Sequence, residues 1–446
     1  MLILSIYIAF MLLMAVLAVW RPAVVLGVVL CNYGIQQWTQ SQDPLFVYNL
    51  SLTNYGTAAL LIFAILVKFI RGQRPLANYP PAGWLSLALF ALALASYFWS
   101  VYPEGTLDVW QQAWRTVLIF LVLTPLLISD HDDLRTGFIS ALTIGAIMLT
   151  LLMTTSRWEG RFVKWSVAIW SQNQRLDSGN PLAIASMAGY VVVSGILLNF
   201  VGIGRFWQFM RWAVILLGLA VSVRAARGQA FALAAVFIAF VPMSRRLRSV
   251  KGFLASSLAI FLLLAAAYWA YEEFGDVRRW DYEKMISDYQ GGRIRTALIL
   301  LSNWLSGTPI NLFVGLGSSA SYDPRILGLY PHFVALEVLG ELGLVGFTLF
   351  LLILFLATRS IIRLHRQVWR DPLQRGTLAA LAALFAFEVL MSCKQGSMLG
   401  NLYLFAFAIM LGRWELSMRR RSAPGAAFEE WNSSPQTWPA QAEPVF

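Results

Sequence analysis

Charge is scarce in this chain. Only 13% of its 446 residues are Asp, Glu, Lys or Arg, where a soluble domain carries about a quarter, so a water-soluble globule of this length is excluded. Cysteine is rarer still. Cys31 and Cys393 lie in or beside apolar segments and support neither a disulfide framework nor a metal site. Three histidines occur, His131, His332 and His365. A zinc site wants clustered His and Cys, or a histidine pair at helical spacing, and the segments around His332 offer one histidine and no Asp-x-Asp pair. No Walker motif is present, which argues against ATP as a fuel. The GLG at Gly315–Gly317 does not open a helix after a strand, so it is no dinucleotide fingerprint; it reads as a turn that lets backbone approach closely. Neither repeats nor a second globular domain can be seen.

Long apolar runs take the place of all this. Hydrophobic residues make up 58% of the chain, with 18 Trp among them. Runs such as Leu2–Trp20, Tyr55–Ile70, Trp84–Trp99, Pro181–Ile203, Gly252–Tyr271, Gly343–Ala357 and Thr377–Cys393 are long enough to cross a bilayer as helices. The expected fold is all-α: a polytopic integral membrane protein of about 12–13 transmembrane helices, with one large loop over roughly residues 272–331 on the non-cytoplasmic face. The membrane unit covers 1–421, and the Pro-, Ala-, Ser- and Glu-rich segment 422–446 reads as a disordered cytoplasmic tail. The first run is read as a span and not a cleavable signal, because no basic n-region precedes it.

The net charge of +11 does not point to nucleic acid, because most of it sits in short loops between apolar runs. KFIRGQR (Lys68–Arg74), SRRLRSVK (Ser244–Lys251), Arg359–Arg375 and Arg413–Arg421 should all be cytoplasmic by the positive-inside rule. Alternation then puts SDHDDLR (Ser129–Arg135) and GRFWQFMR (Gly204–Arg211) on that side too. His131 and His365 fall among these charges as surface residues.

The opposite face breaks the rule. It receives Arg157, Arg161, Lys164, Arg175, Arg224, Arg227, Arg278, Arg279, Arg293, Arg295 and Arg325. Acidic neighbours such as Glu159, Asp177 and Asp323 can pair with some of them. Others can converge on an anion, since arginine's planar fork matches phosphate oxygens two at a time. Arg224 and Arg227 interrupt two apolar runs at the membrane face, where an arginine is costly and a functional candidate. His332 is the histidine of this face and can exchange a proton near neutral pH. Glu337 and Glu341 follow it one helical turn apart, on one face. The chemistry suggested is metal-free, with arginines for a diphosphate and a histidine for proton transfer, as a lipid-linked diphosphate sugar would need.

Four ordered segments resemble the O-antigen ligase and O-antigen polymerase family of bacterial polysaccharide assembly. WSVYPEGTLDVWQQAWR (Trp99–Arg115) is similar to its W-S-x-x-P segment. RAARGQA (Arg224–Ala230) is similar to its Ser-Arg-Gly turn, with Ala226 in place of the serine. GGRIRTALILLSNW through NLFVGLG (Gly291–Gly317) resembles its Gly-Arg segment, helix and G-x-G. PHFVALEVLGELGLVG (Pro331–Gly346) resembles its H-x-x-x-L-x-x-x-x-E-x-G-x-x-G ending, with Phe333 where asparagine often follows the histidine. SGNPLAIASM (Ser178–Met187) is similar to its Asn-Pro span start.

The resemblance implies a helical membrane fold in the bacterial inner membrane with its active site facing the periplasm, which makes 272–331 a large periplasmic loop. It also implies transfer of a glycan from undecaprenyl diphosphate, with inversion and without metal, nucleotide or other cofactor. Arg227 and Arg293 match the arginines expected to hold the diphosphate, His332 the base or acceptor-assisting histidine, and Glu341 the acidic residue of the ending. Arg224, Arg295 and Arg175 join the diphosphate-binding candidates by charge placement alone. The partners expected are the undecaprenyl-diphosphate-linked glycan donor, a glycan or lipid A core acceptor, and the bilayer. Three readings stay open: a ligase acting on lipid A core, towards which the motif set leans, a polymerase extending lipid-linked repeat units, and a lipid-linked glycan transporter. A transporter would show broken spans in matching halves, which this sequence lacks.

Overall fold

A computed structural model describes residues 2–171, 174–201, 204–245, 295–394 and 396–421, together with Leu254, Ala265 and Gly292. Arg293, the side chain of Arg227, the apolar run Gly252–Tyr271 and the tail 422–446 lie outside the described residues.

The chain is an all-helical multi-pass bundle, as its composition requires: in lipid every backbone N–H and C=O must be satisfied within its own segment. The helices are α1 (Leu2–Trp20), α2 (Val25–Gln42), α3 (Leu52–Ile70), α4 (Pro81–Ala95), α5 (Pro103–Val117), α6 (His131–Thr155), α7 (Pro181–Leu197), α8 (Arg205–Ala225) and α9 (Arg227–Arg245). After residues 246–294 come α10 (Arg295–Leu305), the short α11 (Pro309–Val314), α12 (Val334–Val368), α13 (Pro372–Ser392) and α14 (Leu402–Arg421). Their starts follow from local chemistry. Pro81, Pro103, Pro181, Pro309 and Pro372 each open a helix, where a missing N–H costs nothing. Asp130, Asn180 and Asp371 cap theirs by accepting from backbone N–H groups of the first turn.

Eight helices among the described residues are long and apolar enough to cross a membrane. That is fewer than the 12–13 expected. Gly252–Tyr271 is outside the described residues, α7 is apolar but only 17 residues long, and α2 and α14 carry polar groups such as Asn32, Gln36, Arg413 and Glu415 that lower their hydropathy. Both nevertheless pack in the bundle, α2 against α6 and α14 against α12 and α13. The most apolar 18-residue stretch of α13 is 83% buried and that of α1 17%, so α13 is the central helix and α1 a peripheral, lipid-facing one.

The two ends of the bundle sort as the charge pattern demands. Lys68 meets Asp133 at 2.5 Å, Arg421 meets Asp130 at 2.8 Å, and Asn199 joins Arg245 to the Pro372 carbonyl. The basic loops therefore share one end with SDHDDLR. His131 is more engaged there than a surface residue, stacked against Trp414.

One element was not expected. The segment after α6 forms a small antiparallel sheet, β1 (Trp158–Glu159), β2 (Phe162–Ser171) and β3 (Gln174–Ser178), in the order β1-β2-β3. Trp170 pairs with Arg175 and Lys164 with Ser178, across a register shift between Lys164 and Ile169. The sheet sits on the end opposite the basic loops.

Candidate functional site

At that end two clusters form from segments far apart in sequence. The first is built around the G-x-G loop. α12 is broken at Gly343, whose φ of 64° and ψ of −165° suit glycine almost alone. The carbonyls of Gly340 and Glu341, just before the break, accept from Leu316 N at 3.0 Å and Gly317 N at 2.9 Å. The approach is so close that a Cβ on Gly315 would lie 2.1 Å from the Glu341 carbonyl oxygen, and one on Gly343 2.3 Å from that of Phe313. The Glu341 side chain, buried, completes the clamp: Oε2 accepts from Ser319 N at 2.8 Å, and Oε1 from Ser321 N at 3.0 Å and Ser321 Oγ at 2.6 Å. On its other side the loop is held by the W-S-x-x-P segment. Val101 N donates to the Leu316 carbonyl at 3.0 Å, Thr106 Oγ1 to that of Ser318 at 2.5 Å and Trp99 Nε1 to that of Val314 at 3.2 Å.

His332 stands at the mouth of α12, beside this clamp. Its φ is +60°, a left-handed conformation uncommon outside glycine but several-fold enriched in histidine. The half-buried imidazole leans on Tyr330, ring centroids 4.2 Å apart, and Tyr330 in turn neighbours Tyr322. Burial first, then the carboxylates of Glu337 and Glu341, push the Tyr322 phenol above its ordinary range. Glu337, buried one turn from Glu341, accepts from Met398 N at 3.0 Å. Thr296 Oγ1 reaches the Pro331 carbonyl at 3.4 Å, which brings the start of α10, with the exposed Arg295, to the His332 segment.

The second cluster surrounds the break between α8 and α9. Ala226, buried, is extended (φ −158°, ψ 101°) and packs with Ala185 and Ala225. Gln229, fully buried, donates to the Leu182 carbonyl at 2.6 Å and Ser186 Oγ at 3.0 Å, so the R-G-Q turn and the Asn-Pro helix start form one unit. Arg224 donates to the Gly160 carbonyl at 3.4 Å with its guanidinium 4.6 Å over the Trp158 ring. Arg224 thus ties the β1–β2 hairpin to the end of α8.

Arg175 is exposed on β3, opposite Trp170 of β2. Lys164 and Arg325 take the ion-pair reading. Lys164 Nζ meets Glu159 at 2.8 Å and Asp177 at 3.0 Å, and Arg325 grips the buried Asp323 at 2.6 Å. Those hydrogen bonds hold the Asp177 and Asp323 carboxyls below the usual range.

Residues on either side of 395 touch both clusters. Met398 bonds Glu337, and the side chain of Lys394 lies against Gly228. No motif in the sequence marks Lys394, Tyr322 or Tyr330. Lys394 carried the same signal as the arginines, a cation on the face that the positive-inside rule leaves poor in them.

No family model and no curated protein matches this chain. Among solved structures, a chain from "Structural coordination of polymerization and crosslinking by a peptidoglycan synthase complex" is similar, with 16% identity and a TM-score of 0.45, covering 78% of this chain and 100% of that one. At that level the likeness decides nothing about activity, and the chemistry of the site has to carry the reading.

Proposed function

We propose that this chain is a membrane glycosyltransferase that moves a glycan from undecaprenyl diphosphate to an acceptor hydroxyl at the periplasmic face of a bacterial inner membrane. The observation that carries the reading is His332, held in a left-handed turn against Tyr330 at the mouth of α12. It lies on the same end of the bundle as the arginine-bearing α8–α9 break.

In the proposed reaction the acceptor oxygen attacks the anomeric carbon from the side opposite the diphosphate. The carbon–oxygen bond to the diphosphate breaks, the lipid diphosphate leaves, and configuration inverts. His332 takes the acceptor's proton. Arginines neutralise the diphosphate and make it a better leaving group; Arg227 and Arg293 are assigned by the resemblance, and Arg224, Arg295 and Arg175 by charge. Glu341 has both oxygens occupied by loop donors, which fits a residue that fixes the His332 region better than one that receives a proton. The step as written uses no metal or nucleotide.

The resemblance favours lipid A core as the acceptor, a ligase; extension of lipid-linked repeat units, a polymerase, uses the same donor chemistry. The experiment uses purified protein in detergent with an undecaprenyl-diphosphate-linked glycan, EDTA and no nucleotide, with lipid A core in one arm and donor alone in the other. Transfer to core identifies a ligase and lengthening of the donor a polymerase. Silence in both arms with folded protein would overturn the glycosyltransferase reading and favour transport.

A further inference from the structure

Gly228 lies in the first turn of α9, and helical backbone there gives no conformational reason for glycine. Room is the reason. A Cβ at 228 would lie 1.5 Å from Lys394 Nζ, 2.3 Å from Cε and 3.1 Å from Cδ. The end of the Lys394 side chain therefore runs over the bare backbone of Gly228 and brings its ammonium to the α8–α9 break. That lysine comes from a different part of the chain, just past the end of α13 and four residues before Met398, whose N–H bonds the buried Glu337. Arg224 closes the last turn of α8 one residue before the same break. Two cations from separate segments of the chain thus flank the α8–α9 break, Arg224 before it and Lys394 against Gly228 after it. Both side chains are half-buried, where a charge acts more strongly on an anion than it does in bulk water.

We propose that Lys394 is a donor-binding residue: its ammonium, admitted by the missing side chain of Gly228, contacts the diphosphate of the lipid-linked donor beside Arg224. This rests on the function proposed above and adds to it a residue that no motif marks. Lysine suits the task as a compact point charge with three donors. Met398, four residues further on, is bonded to Glu337, five residues after His332, which brings this part of the chain to the helix that His332 precedes.

The test is a double-mutant cycle on Gly228→Ala and Lys394→Ala, with Lys394→Arg as the conservative variant. It reads binding of undecaprenyl diphosphate and the KM and kcat of transfer. Loss of a charge-assisted contact should weaken lipid diphosphate binding and raise the donor KM about tenfold or more, with a smaller change in kcat and partial rescue by arginine. Gly228→Ala displaces only the flexible end of a lysine, so the protein should fold normally yet lose donor affinity to a similar degree. In the Lys394→Ala background the same alanine should cost nothing further. Lys394→Ala protein with wild-type binding and KM would overturn the proposal, as would a Gly228→Ala defect that persists undiminished without the lysine. Wild-type protein that binds no undecaprenyl diphosphate would instead overturn the functional reading, and this inference with it.

Discussion

At the scale of the residue, His332 has two separable properties, an imidazole and a left-handed backbone. The sequence shows the first and hides the second, because φ is a consequence of how Tyr330 and Pro331 lead into α12. The two can be pulled apart. His332→Gly keeps the turn without strain, whereas His332→Ala must hold a Cβ in the left-handed region at a cost of roughly 1 kcal/mol. Removing a general base costs on the order of 10²-fold or more. We therefore expect both variants to lose transfer to that degree while the glycine variant is the more thermally stable of the two in detergent. If His332→Gly transfers at the wild-type rate, the imidazole takes no part and the residue serves its turn alone. Glu341 makes the complementary point. From sequence it is one more acidic residue near a histidine; in the structure its carboxylate accepts three hydrogen bonds from Ser319 and Ser321, and no spacing rule could have found partners 20 and 22 residues upstream.

Among elements, the interlocking of α12 with the G-x-G loop decides the shape of this end of the bundle. The E-x-G-x-x-G ending and the G-x-G segment were both visible as motifs, and the close backbone approach expected of Gly315 and Gly317 is what the structure contains. Their being one device was not visible, because it depends on Gly343 ending the first part of α12 where Leu316 and Gly317 can take over its carbonyls. Gly343 should therefore behave unlike other glycines of positive φ. Gly72 (φ +76°) has open space around its missing side chain, so Gly72→Ala should cost only backbone strain, about 1 kcal/mol. Gly343→Ala adds a backbone collision to a conformation that costs about 1–3 kcal/mol for other residues. We expect it to lower the melting temperature well below that of Gly72→Ala and to open residues 314–321 to proteolysis. Equal stability of the two variants would show that the break tolerates a side chain and that the clamp is not what fixes it. The small sheet after α6 is the element least legible beforehand. Over Phe162–Ser171 only Lys164 and Ser166 interrupt an apolar stretch before Ser171, so period-two alternation, the signal of a half-buried strand, is not sustained.

For the whole molecule, the basic loops already contained the two-ended arrangement, since charge asymmetry between the faces is what membrane insertion reads. The same asymmetry makes the sidedness of the site testable with residues the protein already has. Cys31 is fully buried within α2, and Cys393 is exposed at the end of α13, next to Lys394 and on the His332 face. A membrane-impermeant maleimide added to cells whose outer membrane has been permeabilised should label Cys393 and leave Cys31 unmodified until the protein is denatured. Cys393→Ser should abolish native labelling. Saturating undecaprenyl diphosphate should slow labelling of the purified protein if the diphosphate sits beside Lys394. Labelling of Cys393 only after the inner membrane is broken would put His332, Arg224 and Lys394 on the cytoplasmic side. A lipid-linked glycan presented at the periplasmic face could not then meet the site, and the proposed transfer would fail whatever the chemistry of the individual residues.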